Sequence, residues 1–513
     1  MFAKMYFFII IINFLIEKYS TEKTLKVFED WDDYIISIDG MFYKCPECIP
    51  YKIRSNNGTI SLSLPRIYNY LYIKETPVIS TFISLRTEFD NDHYWVTWPF
   101  EQYVAAKDSH KNFKYRIFSV MGFDIDSSQN YYLLDQGVIL QENNTIMQNT
   151  SKLVVFNRNG KLLDVYYFNY TDFTTSFLTD IVVDQNKKYA YITDSGILLN
   201  DQSIPRIIVI DLKEQKIYRI LNNNANFIPD ENITIKYSDN EVYNYFTNIT
   251  GLNNIQITCD GKMIIFSSLK SKMIFRVYIK DINKAIKNYE KTQKEDYLND
   301  IPITVANKGI MTQSFYISSK NNIYMTNGEK GTIQALYSLD EDIKNYNFKD
   351  FSEIQSHKFI INWPSSIDID NGKLYLLDNH YYERNSSNID NNAKKPNINN
   401  YIGGNDGKNE SDNETETVGK YVIYEAKLEV DELSHTIGCS LYVLKFNLYN
   451  ILIFFWFFII CVVIIFVMVV KKEKKKKNKI NEENEEEDEE NDENVKELNR
   501  RLNENEYENE NDE

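Results

Sequence analysis

Glycine and proline are scarce in this chain, with 17 and ten among 513 residues. That scarcity excludes collagen-like and fully disordered chains. Cysteine is scarcer still, at five. Cys461 falls in a long apolar run, which leaves Cys45, Cys48, Cys259 and Cys439. "CPEC" at 45–48 has no second C-x-x-C to complete a zinc site. In an oxidising compartment the four are disulfide candidates with three pairings open, too few to scaffold a domain of this size. The five histidines are scattered, and no G-x-S-x-G elbow, H-E-x-x-H or phosphate loop occurs. No catalytic residue is therefore assigned, and binding is favoured over catalysis. Basic residues number 57 against 74 acidic ones. No basic face for nucleic acid stands out, so no nucleic-acid partner is expected.

The ends of the chain read as addresses. Residues 1–20, "MFAKMYFFIIIINFLIEKYS", have one early lysine, an apolar run and a polar exit. This is the pattern of a secretory signal peptide. Ile451–Val470 is uncharged and long enough to cross a bilayer as a helix, so a span is placed within 448–470. "KKEKKKKNK" follows it, and lysines flanking a span stay cytoplasmic. The expected topology is single-pass type I, with residues 21–440 extracellular or lumenal and 471–513 cytoplasmic. Nine N-x-[ST] sequons precede the span, at Asn57, Asn143, Asn149, Asn169, Asn232, Asn248, Asn385, Asn409 and Asn413, and none follows it. The tail 471–513 holds ten basic and 18 acidic residues without apolar periodicity, and is expected to be disordered.

What is abundant is aromatic and apolar: 38 tyrosines, 30 phenylalanines and a 43% hydrophobic fraction. These favour strand. The apolar residues come in short phrases that recur. "FDID" is followed by "YLLD", "IVVD" by "YITD", "IQIT" by "IIFS", "FYIS" by "IYMT", and "IDID" by "LYLLD". The second phrase ends about eight to ten residues after the first each time, and a third apolar phrase follows. Units of roughly 50–60 residues with about four strands are the mark of a β-propeller. Five such units span about 115–430, and the earlier "TISLSLPR" and "VISTFISLR" leave room for a sixth. The expected fold class is all-β: a six-bladed propeller over 21–440. A polar, low-complexity insert at 383–420 reads as a disordered loop in the last unit. The aspartates at 126, 184, 260 and 370 sit where the first strand turns back, and read as turn residues.

The phrases in sequence resemble the Yellow and major royal jelly protein family over roughly Gly58 to Asp431. The resemblance rests on "ISLSLPR", "WPF" at 98–100, "MGFDIDSSQNYYLLDQG", "KLVVFNRNGKLLDVYYF", "FLTDIVVDQNKKYAYITDSG", "RIIVIDLKEQKIYRIL", "GLNNIQITCDGKMIIFSSLKSKMIFRV" and "WPSSIDIDNGKLYLLDN". It implies a secreted six-bladed propeller. It also implies a function drawn from a broad set: binding amines or sterols, converting dopachrome-like substrates, or serving as nutrient or structural protein. A membrane anchor departs from the family's usual secreted form and suggests a surface role.

Inner strands of a propeller converge on a central channel, where a small-molecule site is expected. The candidate ligand residues are Asp180, Asn253, Gln313, Ser365 and Asn379, at the strand ends that open on the channel; His380 beside them is the one histidine to test as a base. Asp180 is the first choice, because a carboxylate there pairs with an amine. The resemblance extends to gluconolactonase-type propellers, which hold calcium; the nearest positions here are Thr179, Asn253 and Gln313. These supply little negative charge, so calcium is not the expected cofactor and no metal ligand is assigned. The partners expected are the membrane and a small extracellular ligand such as an amine. The alternatives are a dopachrome-converting or lactonase-type enzyme, and an adhesion or coat protein that binds an extracellular partner through its rim.

Overall fold

The computed structural model describes residues 25–428 apart from 67–80, 88–92, 100–115, 141–145, 169–175, 197–203, 242–250, 337–351, 355–362, 380–420 and shorter stretches, then 455–476 and most of 494–500. Residues 1–20, read from sequence as a signal peptide, the 383–420 insert, His380, and the sequons other than Asn57 lie outside the described residues. The chain divides into two compact units, Met1–Tyr442 and Val443–Glu513.

Among the described residues six sheets of four to six strands, almost wholly antiparallel, form the blades of the first unit, with two two-stranded hairpins besides. Their inner strands are Lys52–Asn56, Val120–Ile125, Leu178–Val183, Leu252–Ile257, Phe315–Ile317 and Pro364–Asp370, for blades 1 to 6. Most residues of these strands are buried, because one blade covers each face of the next. This explains the near-continuous apolar phrases. The hydrophobic core is accordingly divided into wedges between blades. Ile53 and Leu62 of blade 1 pack on Tyr375 and Ile423 of blade 6. Phe82 and Phe123 join blades 1 and 2, and Leu153 and Ile181 join blades 2 and 3. Tyr191 and Ile255, Phe266 with its neighbours, Ile265 and Phe315, and Tyr324 and Ile367 continue round the ring.

Strand Lys26–Trp31 closes the circle. It pairs antiparallel with Tyr421–Lys427, so the start of the chain supplies the outer strand of the last blade. Blade 1 is extended by Tyr34–Ile38, which pairs in parallel with the outer strand His93–Thr97, and by Met41–Cys45. Helix α1 (Ile279–Thr292) and the short α2 (Asp296–Asn299) interrupt blade 4 between its third strand and its outer strand, Thr304–Asn307. The all-strand reading of this segment thus needs a local correction. Ile279, Ile282, Ala285 and Ile286 recur at helical spacing and bury one face of α1 on the blade.

The aspartates that end successive strands have two different jobs. Those after the inner strand mostly hold turns. Asp126 accepts from the backbone of Ser128 and Asn130 at 2.7 and 3.0 Å. Asp184 accepts from Lys188 N at 2.9 Å, and Asp260 from Lys262 N at 3.1 Å. Asp370 departs from that expectation. It reaches across to blade 1, accepting from Ser55 Oγ at 3.0 Å and Gly58 N at 2.9 Å. It is free to do so because Asn371-Gly372, both at positive φ, form a two-residue hairpin without its help.

The aspartates that end the second strand are latches. Asp135 accepts from Phe118 N and Ser119 N at 3.1 and 2.8 Å, pinning the segment that leads into its own inner strand. Asp194 does the same to Phe177 N at 2.8 Å, and Asp378 to Trp363 N at 2.6 Å. In blades 2 and 3 a cation from the start of the third strand neutralises the latch: Lys152 Nζ on Asp135 at 2.8 Å, and Arg206 Nε on Asp194 at 2.7 Å. Both pairs are buried. Removing one partner strands a charge in the core, which costs about 3–5 kcal/mol. Asp194→Ala is therefore expected to destabilise the protein by about that much. Asp260→Ala, at a turn, should lose about 1 kcal/mol. Denaturant unfolding of the two variants side by side checks the contrast; equal losses would refute the division into latches and turns.

The second unit contains helix α3 (Phe455–Lys476). It is 22 residues long, and its apolar 18-residue window has a mean hydropathy of 2.5 with none of it buried. Its length and composition suit a membrane span.

Candidate functional site

The axis of the ring is filled by the protein's own charges. Lys52 and Arg54, two apart on the inner strand of blade 1, supply the cations. Lys52 Nζ lies 2.6 Å from Asp180 Oδ2 of blade 3. The same oxygen accepts from Asn254 Nδ2 of blade 4 at 2.8 Å, and Asp180 Oδ1 accepts from Ile181 N at 2.9 Å. Arg54 Nη1 donates to Asp368 Oδ1 of blade 6 at 3.1 Å, and its Nε lies 3.7 Å from Asp124 Oδ1 of blade 2. Asp124 also accepts from Val183 N at 2.9 Å, and Asp368 from Ser55 N at 2.5 Å. Two cations thus hold three carboxylates from three other blades.

Burial shapes their protonation. It pushes the Lys52 ammonium down, against the pull of Asp180. For Arg54 the carboxylates of Asp368 and Asp124 overcome burial and raise it above its ordinary value. Burial pushes Asp368 up from 3.8 to about 7, with Asp370 adding to the rise and Arg54 opposing it. Asp124 is raised for the same first reason.

The close fit around Asp180 depends on a glycine. A Cβ on Gly122 would stand 2.7 Å from Asp180 Cα and 2.8 Å from Oδ1. Blade 2 approaches blade 3 here at backbone distance, which only glycine permits.

Above this layer, at the leading ends of the inner strands, is a second, neutral one. Tyr51 Oη donates to Asn253 Oδ1 at 2.6 Å, and Asn253 Nδ2 donates to the Gln313 carbonyl at 2.7 Å. Of the candidates chosen from sequence, Asn253 and Gln313 are therefore joined directly. Asp180 sits one layer deeper, beside Asn254. Ser365 Oγ donates to the Leu377 carbonyl at 3.1 Å within blade 6. Asn379 Nδ2 donates to the Pro50 carbonyl at 2.9 Å, tying blade 6 to blade 1. Thr179 Oγ1 donates to the Leu252 carbonyl at 2.8 Å, so it joins blades 3 and 4 and is not grouped with Asn253 and Gln313. Among the described residues no group of three or more His, Cys, Asp or Glu side chains could hold a metal ion. Cys48 and Cys259 are each disulfide-bonded; the side chains of Cys45 and Cys439 lie outside the described residues. Asn57 is exposed, in the first hairpin of blade 1.

A shallow pocket with room for about one water molecule lies on this same face between blades 4, 5 and 6. Leu269, Met311, Gln313, Gly328, Glu329, Trp363 and Pro364 line it. Gln313 Oε1 is buried there and accepts no hydrogen bond. Glu329 is half-buried and is the pocket's only ionisable lining residue. Trp363 lies against Gly328, where an added Cβ would meet its ring at 3.5 Å.

Lys52, Arg54, Glu329 and Trp363 were not among the residues singled out from sequence. The first two carried a weak signal: at alternate positions of one strand they share a face, and on the innermost strand of a blade that face must find buried carboxylates. Glu329 carried none, since it follows a strand like many surface residues.

Blade 4 breaks the latch rule. Ser268 stands where blades 2, 3 and 6 place aspartate, and Lys308 Nζ donates to the Ser268 carbonyl at 3.1 Å. No carboxylate accompanies it, and burial alone pushes this lysine down from 10.5 to about 7. The unfolded chain then holds a proton between pH 7 and 10.5 that the folded chain lacks. Stability from this group is thus present above that window and lost as pH falls through it. Lys308→Met is expected to stabilise the protein at pH 7 and to flatten the rise of stability toward pH 10, as read by denaturant titrations across pH; an unchanged slope would refute it. Asp180→Asn leaves Lys52 buried without a counter-charge and should cost about 3–5 kcal/mol. Gly122→Ala should cost upward of about 2 kcal/mol through the same contact. Thermal unfolding measures both.

A family model described as "Major royal jelly protein" matches residues 118–405, more than half of the chain. No curated protein matches it. Among solved structures, virginiamycin B lyase from Staphylococcus aureus is similar at 12% identity and a TM-score of 0.35, covering 64% of this chain and 91% of that one. A luciferin-regenerating enzyme is similar at 6% identity and a TM-score of 0.42, covering 79% and 95%. Both are distant overall likenesses, and the assignment rests on the family match and the ring of six blades. This chain belongs to the major royal jelly protein family.

Proposed function

We propose that this protein binds a small organic amine at the mouth of the ring, in the pocket between blades 4, 5 and 6. The observation that carries this reading is Gln313 Oε1, a buried acceptor without a donor. A buried unpaired acceptor is costly unless a ligand supplies the hydrogen. Glu329 adds the one negative charge and Trp363 an aromatic surface, the two groups that favour an ammonium. Asp180 already holds Lys52, so its part is to support the mouth from below. The ring carries this site at a membrane surface, anchored by α3, with the lysines after the span on the cytoplasmic side.

A second reading has one observation in its favour. The axis is closed by ion pairs between blades 1, 2, 3 and 6. A propeller whose channel is filled in this way presents its outer edge to partners.

The test is thermal unfolding of the full chain in mild detergent with a panel of biogenic amines, catechols and sterols. A ligand at one hundred times its dissociation constant adds about 2.7 kcal/mol of stability. An amine is expected to raise the midpoint, and Glu329→Gln to abolish the rise while leaving the unliganded midpoint in place. A rise that survives Glu329→Gln, or no rise with any amine, would overturn the reading.

A further inference from the structure

We propose that the solvent face of α1 is a docking site for a linear sulfated polysaccharide. Lys280, Lys284, Lys287 and Lys291 are all exposed on this helix. Their spacing of four, three and four residues places them on one stripe, opposite the face that Ile282 and Ile286 bury on blade 4. The stripe is about 16 Å long. Among the described residues, none of the four has a carboxylate within salt-bridge distance. The one ion pair at the end of this helix uses Glu290 and Lys216 of blade 3, at 2.7 Å, and so turns that acid away from the stripe.

Like charges three and four apart on a helix repel, at a few tenths of a kcal/mol for each pair. Solvated helix faces ordinarily mix the two signs. Here the repulsion is maintained along the whole helix, in a chain whose net charge is −17. A bound row of anions relieves it. At physiological salt the Debye length is about 8 Å, so the stripe acts on a contacting polyanion without much hindrance from distant acids.

The stripe's chemistry chooses among polyanions. It contains lysine and no arginine, hence point charges that suit a spaced row of anionic groups and not bidentate clamping of a single one. The aromatic ring beside it, Tyr278, already carries Lys280 and Arg276 at 4.8 and 5.0 Å from its centroid, and so is not free to stack a base. The apolar face of α1 is already committed to the blade, so the helix cannot lay that face into a lipid surface. A flexible chain carrying sulfates at intervals of several ångströms fits what remains. The site is separate from the amine pocket, and each stands or falls alone.

The experiment measures binding of a fluorescent, highly sulfated heparin-type oligosaccharide to the full chain in mild detergent, from 0.05 to 0.3 M NaCl. Binding is expected, weakening with salt in proportion to about three or four released counterions. The variant K280Q/K284Q/K287Q/K291Q should lose more than about tenfold in affinity with an unchanged melting temperature. The control K26Q/K161Q/K373Q/K427Q, also four exposed lysines, should bind as the parent does. Absence of binding at 0.05 M NaCl, equal loss in both variants, or helix-dependent binding of phosphatidylserine vesicles or single-stranded DNA in preference to the oligosaccharide would overturn the proposal.

Discussion

Everything in the ring leans on two cations of blade 1. Lys52 and Arg54 project from one strand into the axis and meet carboxylates of blades 2, 3 and 6. A ring of six sheets has no central core to fill, and its hydrophobic wedges act only between neighbours. Lys52 on Asp180 of blade 3 and Tyr51 on Asn253 of blade 4 cross it, while Arg54 ties blade 1 to its neighbours on both sides. The ion pairs are buried, so each is balanced between desolvation and attraction, and the loss of either partner costs far more than the pair contributes. That balance explains why Gly122 must be small and why Asp368 is drawn up toward neutrality.

The same economy appears at the edge of blades 2, 3 and 6. A carboxylate at the exit of the second strand fixes the backbone leading into the first, so one side chain sets the geometry of the ring's upper face. Blades 2 and 3 neutralise that carboxylate with a lysine or an arginine. Blade 4 has Ser268 in place of the acid and brings Lys308, from the end of its outer strand, onto that serine's carbonyl. The irregular blade is also the one that carries the helical insert and one wall of the pocket. Both proposed surfaces involve blade 4, the pocket sharing it with blades 5 and 6.

The two surfaces proposed as functional make opposite demands. The mouth pocket is acidic and aromatic, with an unpaired acceptor, and suits a small cation. The outer helix is a row of lysines and suits a long anion. They lie on different parts of one blade system, so one molecule can hold both without mutual screening.

The sequence by itself determined the fold class, the number of units and the span-length apolar helix. Period-two apolar phrases with polar turns specify strands, and their regular recurrence leaves radial packing as the way to cover both faces of each sheet. It also put Asn253 and Gln313 at the leading ends of inner strands, where a hydrogen bond joins them. It did not separate turn aspartates from latch aspartates, because both close an apolar run and differ only in which backbone they reach. Asp370 shows this: it reads as a turn residue and bonds another blade, 312 residues away along the chain from Gly58. Asp180 reads as a free carboxylate until Lys52, 128 residues earlier, is placed against it. Glu329 and Trp363 become neighbours only when blades 5 and 6 pack. Strand identity is a local property of side-chain alternation; the partner of a buried charge is decided by ring closure, which brings together segments that no spacing rule connects.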